Sequence, residues 1–369
     1  MIECRTIKEL CSVVVDCPHS TPTWTAEGKI VVRNNNIKNG RIDFSSPSYT
    51  DDEHYQQRIK RATPQGGDII ITREAPMGEV GMIPEGIVCC LGQRMVLLRA
   101  NPDICDNYYL LYSLQSRYVQ HQISWSEGTG TTVSNLRIPH LEQLKIPYLP
   151  LSKQRQVSSV LRCLEEKIKH NRVINDNLQQ QAQAIYASMF VDNAEPTWKQ
   201  GHLSDFVIVR YGKDHKKLAD GIYPVYGSGG IMRHVERPLY DKESVLIPRK
   251  GTLNNVMYVN QPFWSVDTMF YTEMRQPNVA KFVYHFVKAK DLASMNAGSA
   301  VPSMTTDILN AMEIVIPPAS VLEEFESLVA PMYRAMQEND AQSKKLADLR
   351  NALLPKLMSG EIDVTDIQL

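Results

Sequence analysis

Apolar residues change their period several times along this chain, and the changes come in the same order twice. Compact β-branched runs at residues 67–73 (GDIIITR) and 243–249 (ESVLIPR) each end in an arginine and a glycine-containing turn, which predicts strands. CLGQRMVLL (90–98) and FWSVDTMFY (263–271) predict a further strand at matching places downstream. DNYYLLYSLQSRYVQHQI (106–123) and PNVAKFVYHFVKAKDLASM (277–295) then take on helical spacing. A small-residue loop follows in each half (SEGTGTTVSN, NAGSAVPS), then a final strand ending in proline (LKIPYLP, MEIVIPP).

Behind each final strand the period becomes heptad. Val157, Leu161, Leu164, Ile168, Asn171, Asn175, Leu178, Ala182, Ile185 and Met189 alternate four and three apart. A shift of 168 residues carries Gly130 onto Gly298 and this series, without a gap, onto Phe325, Val329, Met332, Met336, Asn339, Ser343, Leu346, Arg350, Leu353 and Leu357. Fixed-period similarity with only two copies argues against a solenoid. It points instead to a pseudo-twofold particle of two globular units, each followed by a long helix. Both helices have apolar ends and a polar centre, and Asn171 falls on Asn339. An asparagine in a helical seam fixes register at a cost in stability. The two helices are therefore expected to pair antiparallel through Leu164, Ile168, Asn171, Leu178, Met332, Met336, Asn339 and Leu346. Pro331 and Pro355 predict kinks in the second helix. The predicted fold class is α+β, with two pseudo-repeated mixed α/β domains separated by two long helices forming an antiparallel coiled coil. The segments are 1–150, 151–192 (long helix), 193–317, 318–360 (long helix) and a tail, 361–369.

Composition narrows the class. The chain has 369 residues, 43% hydrophobic and 22% charged, which is globular, with room for two domains. No apolar run is long enough to cross a membrane, and MIECRTIKEL lacks a signal-peptide layout, so a cytoplasmic protein is expected. All seven cysteines lie at or before Cys163. A disulfide or zinc site shared by the repeat would recur in the second half, so free thiols are expected.

The net charge of −1 argues mildly against a nucleic-acid binder, but distribution matters more than the sum. Residues 29–41 (KIVVRNNNIKNGR) hold Lys29, Arg33, Lys38 and Arg41 and no acid; residues 210–217 (RYGKDHKK) hold four strong bases and one acid. Gly227, Gly229 and Gly230 beside Tyr223 and Tyr226 would let backbone approach a ligand while rings stack. Glycine and hydroxyl residues in the two small-residue loops suit phosphate contacts. The candidate DNA-binding residues are Arg33, Asn35, Lys38, Arg73 and Thr131 in the first unit, and Arg210, Lys213, Lys216, Tyr226, Ser228, Arg249, Lys250 and Ser299 in the second. Arg73 and Arg249 are matched by the repeat, so phosphate positioning suits them better than base choice.

Catalytic constellations fail on inspection. DDEH (51–54) resembles a helicase box, but no phosphate-binding G-x-x-x-x-G-K-[ST] loop precedes it. Pro102 and Asp103 with Glu165 and Lys167 mimic a nuclease motif, yet they lie in different predicted elements and have no counterpart in the second half. There is no (Asp/Asn)-Pro-Pro-aromatic tetrapeptide for amino-methyltransferase chemistry, and no H-E-x-x-H.

The strand-proline boundaries before each long helix (PYLPLSKQRQV, VIPPASVLEEF), the C-terminal LRNALLPKLMSGEI and the segment PVYGSGGI together resemble the specificity subunit of type I restriction–modification systems over essentially the whole chain. The resemblance implies two target-recognition domains, each reading half of a split, asymmetric DNA sequence. It also implies that the helices hold the halves apart and dock two methyltransferase subunits, joined by motor-nuclease subunits. No cofactor is then expected on this chain; S-adenosylmethionine, ATP and Mg belong to the partner subunits. The competing expectations are a stand-alone DNA-binding or scaffold protein without methyltransferase partners, and a nuclease acting alone.

Overall fold

The computed structural model describes residues 3–38, 40–125, 135–295 and 303–362. They form two units, Met1–His170 with Ala341–Leu369, and Asn171–Asp340. Both boundaries fall in the polar centres of the long helices.

Unit one is built on a four-stranded antiparallel sheet in the order Cys11–Asp16, Met95–Ala100, Ile69–Thr72, Val80–Met82. The alternation of a strand assigns its side chains to two cores. Ile69, Ile71, Val96 and Leu98 pack with Leu110, Leu114, Val119 and Ile123 of two helices, Asn107–Gln115 and Arg117–Trp125. Ile70, Met95 and Leu97 face the other way, onto Val32, Cys89 and Leu91. Those residues belong to a three-stranded sheet, Ser48–Thr50, Lys29–Val32, Cys89–Leu91, whose last pair is parallel. Burial on both faces explains why Ile69, Ile70 and Ile71 are continuously apolar rather than alternating. The strand Cys4–Thr6 pairs with Lys145–Pro147 and closes the unit.

Unit two repeats this order. Its four-stranded sheet runs Val207–Tyr211, Met269–Met274, Ser244–Pro248, Met257–Val259. Its three-stranded sheet runs Gly230–Val235, Asp220–Gly227, Trp264–Ser265, again with one parallel pair. Val245, Ile247 and Phe270 face the helix Ala280–Lys288, while Leu246, Met269 and Tyr271 face Val225, Phe263 and Trp264. Lys199–His202 with Glu313–Ile316 is the closing pair.

The repeat reaches single hydrogen bonds. The Arg73 amide donates to the Arg94 carbonyl (2.8 Å) and the Leu136 amide to the Arg73 carbonyl (3.0 Å). In unit two the Arg249 amide donates to Thr268 (2.9 Å) and Met304 to Arg249 (2.9 Å).

Each unit contains one half of each long helix, Leu151–Ala187 and Ala319–Met358. In unit one Val157 and Leu161 share a core with Leu357 and Met358, and Glu165 pairs with Arg350 at 2.9 Å. In unit two Asn171 donates to the Asn339 carbonyl (3.3 Å), Asn175 to that of Met336 (3.2 Å), and Ala182 and Tyr186 pack among Phe325, Val329 and Tyr333. Partner numbers fall as the first helix advances, which is antiparallel pairing. All ten heptad positions of each helix are buried or half-buried. Leu178 and Leu346 are half-buried, as are Leu164, Met332 and Met336. Helical structure runs on through Pro331 and Pro355.

Three expectations need correction. The stretches 90–98 and 263–271 are each two strands in different sheets, separated by Gly92–Arg94 and by Val266–Thr268. Arg94 adopts a left-handed φ of 63°, which turns the chain from one sheet to the other. The predicted helix 106–123 breaks at Ser116, whose extended backbone and hydroxyl contact to the Val119 amide (3.3 Å) start a second helix. The predicted helix 277–295 is shorter, Ala280–Lys288. Among the described residues no two cysteines are joined in a disulfide, and burial raises the thiols of Cys11, Cys17, Cys89, Cys90 and Cys105 above their ordinary value.

Candidate nucleic-acid interface

In both units the strand ends converge on one loop edge. In unit one, Arg33 follows the strand Lys29–Val32, and its guanidinium lies 5.3 Å from the Trp24 ring centre while Nη1 reaches Ser48 Oγ at 3.4 Å. Asn34–Asn36 form a tight turn, held by Asn36 accepting from the Arg33 amide (2.9 Å) and Asn34 donating to the Glu74 carbonyl (2.8 Å). Gln93 and Arg94, between the two sheets, complete a cleft of about 490 Å³ with Thr21, Trp24, Arg33, Asn34 and Asn35. Its lining contains two arginines and no acid. Glu74 lies behind it and pairs with Arg94 at 3.3 Å.

Arg58 anchors this cleft from beneath. It is buried, and its guanidinium donates to the carbonyls of Pro18, Ser20, Leu91 and Gly92 at 2.8–3.3 Å. A single cation thereby ties the loop carrying Trp24 to the turn carrying Gln93 and Arg94.

The edge of unit two uses the same frame. Gly212 leaves the sheet so close to the connection 266–268 that a Cβ there would meet the Val266 carbonyl oxygen at 2.0 Å, which admits glycine alone. The Lys213 amide then donates to Ser265 (2.8 Å) and its carbonyl accepts from Trp264 Nε1 (2.8 Å). The Arg249 guanidinium lies 5.4 Å from the ring of Tyr211, which is 51% exposed. Ser228 adjoins Gly251, and its carbonyl accepts from Asn255 (2.8 Å). Lys213, Ser228, Arg249 and Lys250 are thus brought to one edge.

The predicted residues fare unequally. Arg33, Asn35, Lys38, Lys213, Lys216 and Lys250 are exposed, and Ser228 and Arg249 are half-buried. Lys38 sits opposite Arg41 in a two-residue ladder, away from the cleft lining. Arg73 is spent internally: it pairs with Asp16 at 2.9 Å and donates to Leu136 and Asn135. Arg210 is held by Glu273 through two bonds, 3.1 and 3.2 Å, which raise its pKa. Tyr226 is a core residue, 9% exposed and edge-on to Phe263, so its ring presents no stacking face. Thr131 and Ser299, with most of the two small-residue loops, lie outside the described residues. Sequence reasoning missed Trp24, Gln93, Arg94, Tyr211 and Arg58. Trp24 in the polar stretch STPTWTAEG was the one legible signal.

The apparent catalytic motifs have structural roles. Asp51 caps the helix Asp52–Arg58 by accepting from the His54 amide (2.8 Å). Glu165 is engaged by Arg350 and by the Tyr112 hydroxyl (3.1 Å). Among the described residues no cluster of His, Cys, Asp or Glu is placed to hold a metal ion, and no helix is long and apolar enough to cross a membrane.

A repeated, basic loop edge on a two-sheet frame beside paired helices is matched by one family model, the type I restriction modification DNA specificity domain, over residues 3–180 and 195–324. The chain belongs to that family. It is similar to the type I restriction enzyme MjaIX specificity subunit of Methanocaldococcus jannaschii, 23% identical over 345 residues, covering 82% of this chain and 79% of the relative. A putative type I specificity subunit of Mycoplasma genitalium is 24% identical over 278 residues, covering 69% and 70%. The crystal structure of a type I restriction–modification S subunit from M. genitalium shares the fold, with a TM-score of 0.59 at 18% identity over 97% of this chain and 96% of that one.

Proposed function

We propose that this protein is the non-catalytic DNA-recognition subunit of a type I restriction–modification complex. Unit one reads one half of a bipartite, asymmetric target and unit two the other. The observation that carries this reading is that one backbone frame, down to the hydrogen bonds of Arg73 and Arg249, presents two different sets of cationic and amide side chains. Arginine, asparagine and glutamine are the side chains that pair bidentately with guanine and adenine edges, and lysines hold phosphates. In unit one Arg33, Asn35, Gln93 and Arg94 fit the first role. In unit two Lys213, Lys216 and Lys250 fit the second.

The paired long helices act as the spacer between half-sites and as the seat for two methyltransferase subunits, with motor-nuclease subunits added to the complex. S-adenosylmethionine, ATP and Mg act on those partners, in the cytoplasm. The test is a single-molecule methylome of the host with the gene intact and deleted. The expected result is loss of N6-methyladenine at one split motif. Persistence of every motif, together with failure to co-purify a methyltransferase, favours a stand-alone scaffold and overturns the proposal. DNA cutting by the purified chain with magnesium alone would contradict its non-catalytic assignment.

A further inference from the structure

Arg73 and Arg249 occupy the same place in the two units, yet their side chains do opposite things. Each immediately follows the corresponding strand, Ile69–Thr72 or Ser244–Pro248, and each has its amide and carbonyl bonded in the same way. What faces them differs. The strand that ends at Asp16 in unit one ends at Tyr211 in unit two, and both residues lie across the sheet from equivalent positions, Val96 and Phe270. Asp16 captures the Arg73 guanidinium at 2.9 Å, with both side chains about seven-eighths buried (12% and 13% exposed). Nε and Nη2 of Arg73 are used by the Leu136 carbonyl (3.0 Å) and the Asn135 side chain (3.3 Å). Its charge is neutralised and its donors are occupied.

Tyr211 offers no charge. Arg249 lies over its ring and spends one N–H on the Asp267 carbonyl (3.3 Å). Arg249 forms no ion pair with a described carboxylate, and neither do Lys213 or Lys250 on the same edge. A guanidinium stacked on an exposed ring keeps its planar edge open to an anion.

We propose that Arg249 is a DNA-phosphate contact of unit two whereas Arg73 is an internal strut of unit one, and that the residue facing each arginine, Tyr211 or Asp16, decides which. The inference rests on the DNA-recognition reading above. It deepens that reading by making the two units unequal: unit two carries more of the salt-dependent grip.

The experiment measures binding of the full chain to a short random-sequence DNA duplex as a function of salt. Each phosphate contact contributes about 0.9 to the slope of log K against log salt. R249Q should flatten the slope by about that amount, so that affinity at low salt falls about threefold relative to affinity at fourfold higher salt. Y211D should do the same by giving Arg249 the partner that Arg73 has. R73Q should leave the slope unchanged while lowering the melting temperature, and D16Y should steepen the slope by releasing Arg73. Y211D alters an exposed position, so its result survives if R73Q or D16Y folds poorly. Equal effects of R73Q and R249Q on the slope, or no effect of R249Q and Y211D, overturn the inference while leaving DNA recognition standing. Absence of salt-dependent binding by the unsubstituted chain overturns both.

Discussion

His285 should make unit two acid-sensitive as the pH falls from 6.5 toward 4. It is fully buried on the helix Ala280–Lys288, where Nδ1 lies 2.7 Å from Gln183 Oε1 and Nε2 lies 2.9 Å from the Tyr333 hydroxyl. An amide oxygen only accepts, so Nδ1 carries the proton and Nε2 accepts from Tyr333. The ring also stacks on Tyr186 at 5.8 Å and meets Phe325 edge-on at 6.0 Å. No described carboxylate stands against the ring to stabilise an imidazolium, and burial lowers the pKa from 6.5 to about 4. The unfolded chain therefore binds a proton that the folded chain refuses. The stabilisation is complete above pH 6.5 and is lost as the pH falls toward 4. At about 1.4 kcal/mol per unit, a drop to pH 5 costs about 2 kcal/mol and a drop to pH 4 about 3 kcal/mol. Urea unfolding followed by hydrogen exchange in peptides from 280–288 and 325–336 isolates unit two. His285→Gln keeps a donor and an acceptor but does not titrate. It should lose about 2 kcal/mol less than the unsubstituted chain between pH 6.5 and 5. Identical pH slopes for the two proteins would refute the assignment of a buried, neutral imidazole.

Other perturbations probe the remaining frame. Lys281→Met should destabilise unit two by about 3 kcal/mol in urea unfolding, because Lys281 is buried between Glu243 (3.1 Å) and Glu326 (2.7 Å) and its loss leaves the largely buried Glu326 carboxylate without a cation. Adding Glu243→Gln and Glu326→Gln should recover much of that loss. Arg58→Met abandons four carbonyls and should cost about 3 kcal/mol or more, with faster hydrogen exchange in residues 18–24. Unchanged exchange there would mean that the cleft does not depend on this anchor. Removing one heptad from each long helix, in pairing register, withdraws about 10 Å of helix. The methylome motif should keep both half-sites and lose about three base pairs of spacer; an unchanged spacer would refute the role of the helices as the spacer between half-sites.

The layout of the fold was legible because the burial pattern repeats. Ile69, Ile70 and Ile71, like Val245, Leu246 and Ile247, carry apolar side chains on both faces, and every position of the heptad series from Val157 to Met189 is buried or half-buried. What sequence could not show was where a continuous apolar stretch changes sheet. CLGQRMVLL reads as one strand because both of its strands are buried; only the left-handed backbone at Arg94 divides it. The same limit applied to the interface. Charge runs identified Arg33 and Lys213 but could not distinguish an open cation from one closed by a partner distant in sequence. Arg210 meets Glu273 across two strands, and Arg73 meets Asp16.

That distinction bears on how two copies of one frame come to differ. Side chains that hold the frame, such as Ile69, Ile71, Val245 and Ile247, point into cores and are constrained by packing. Side chains at the loop edge, such as Arg33 and Lys213, are exposed and free of that packing. The backbone at Arg73 and Arg249 is bonded alike whether the facing residue is aspartate or tyrosine. A substitution at the facing position therefore changes the electrostatics of the edge without a change in the hydrogen-bonded frame. The two N-terminal thirds of the repeat carry most of these edge residues and share little sequence, whereas the segments from Gly130 and Gly298 onward, which carry the final strands and long helices, align without a gap. Divergence falls where side chains leave the frame, and similarity where they build it.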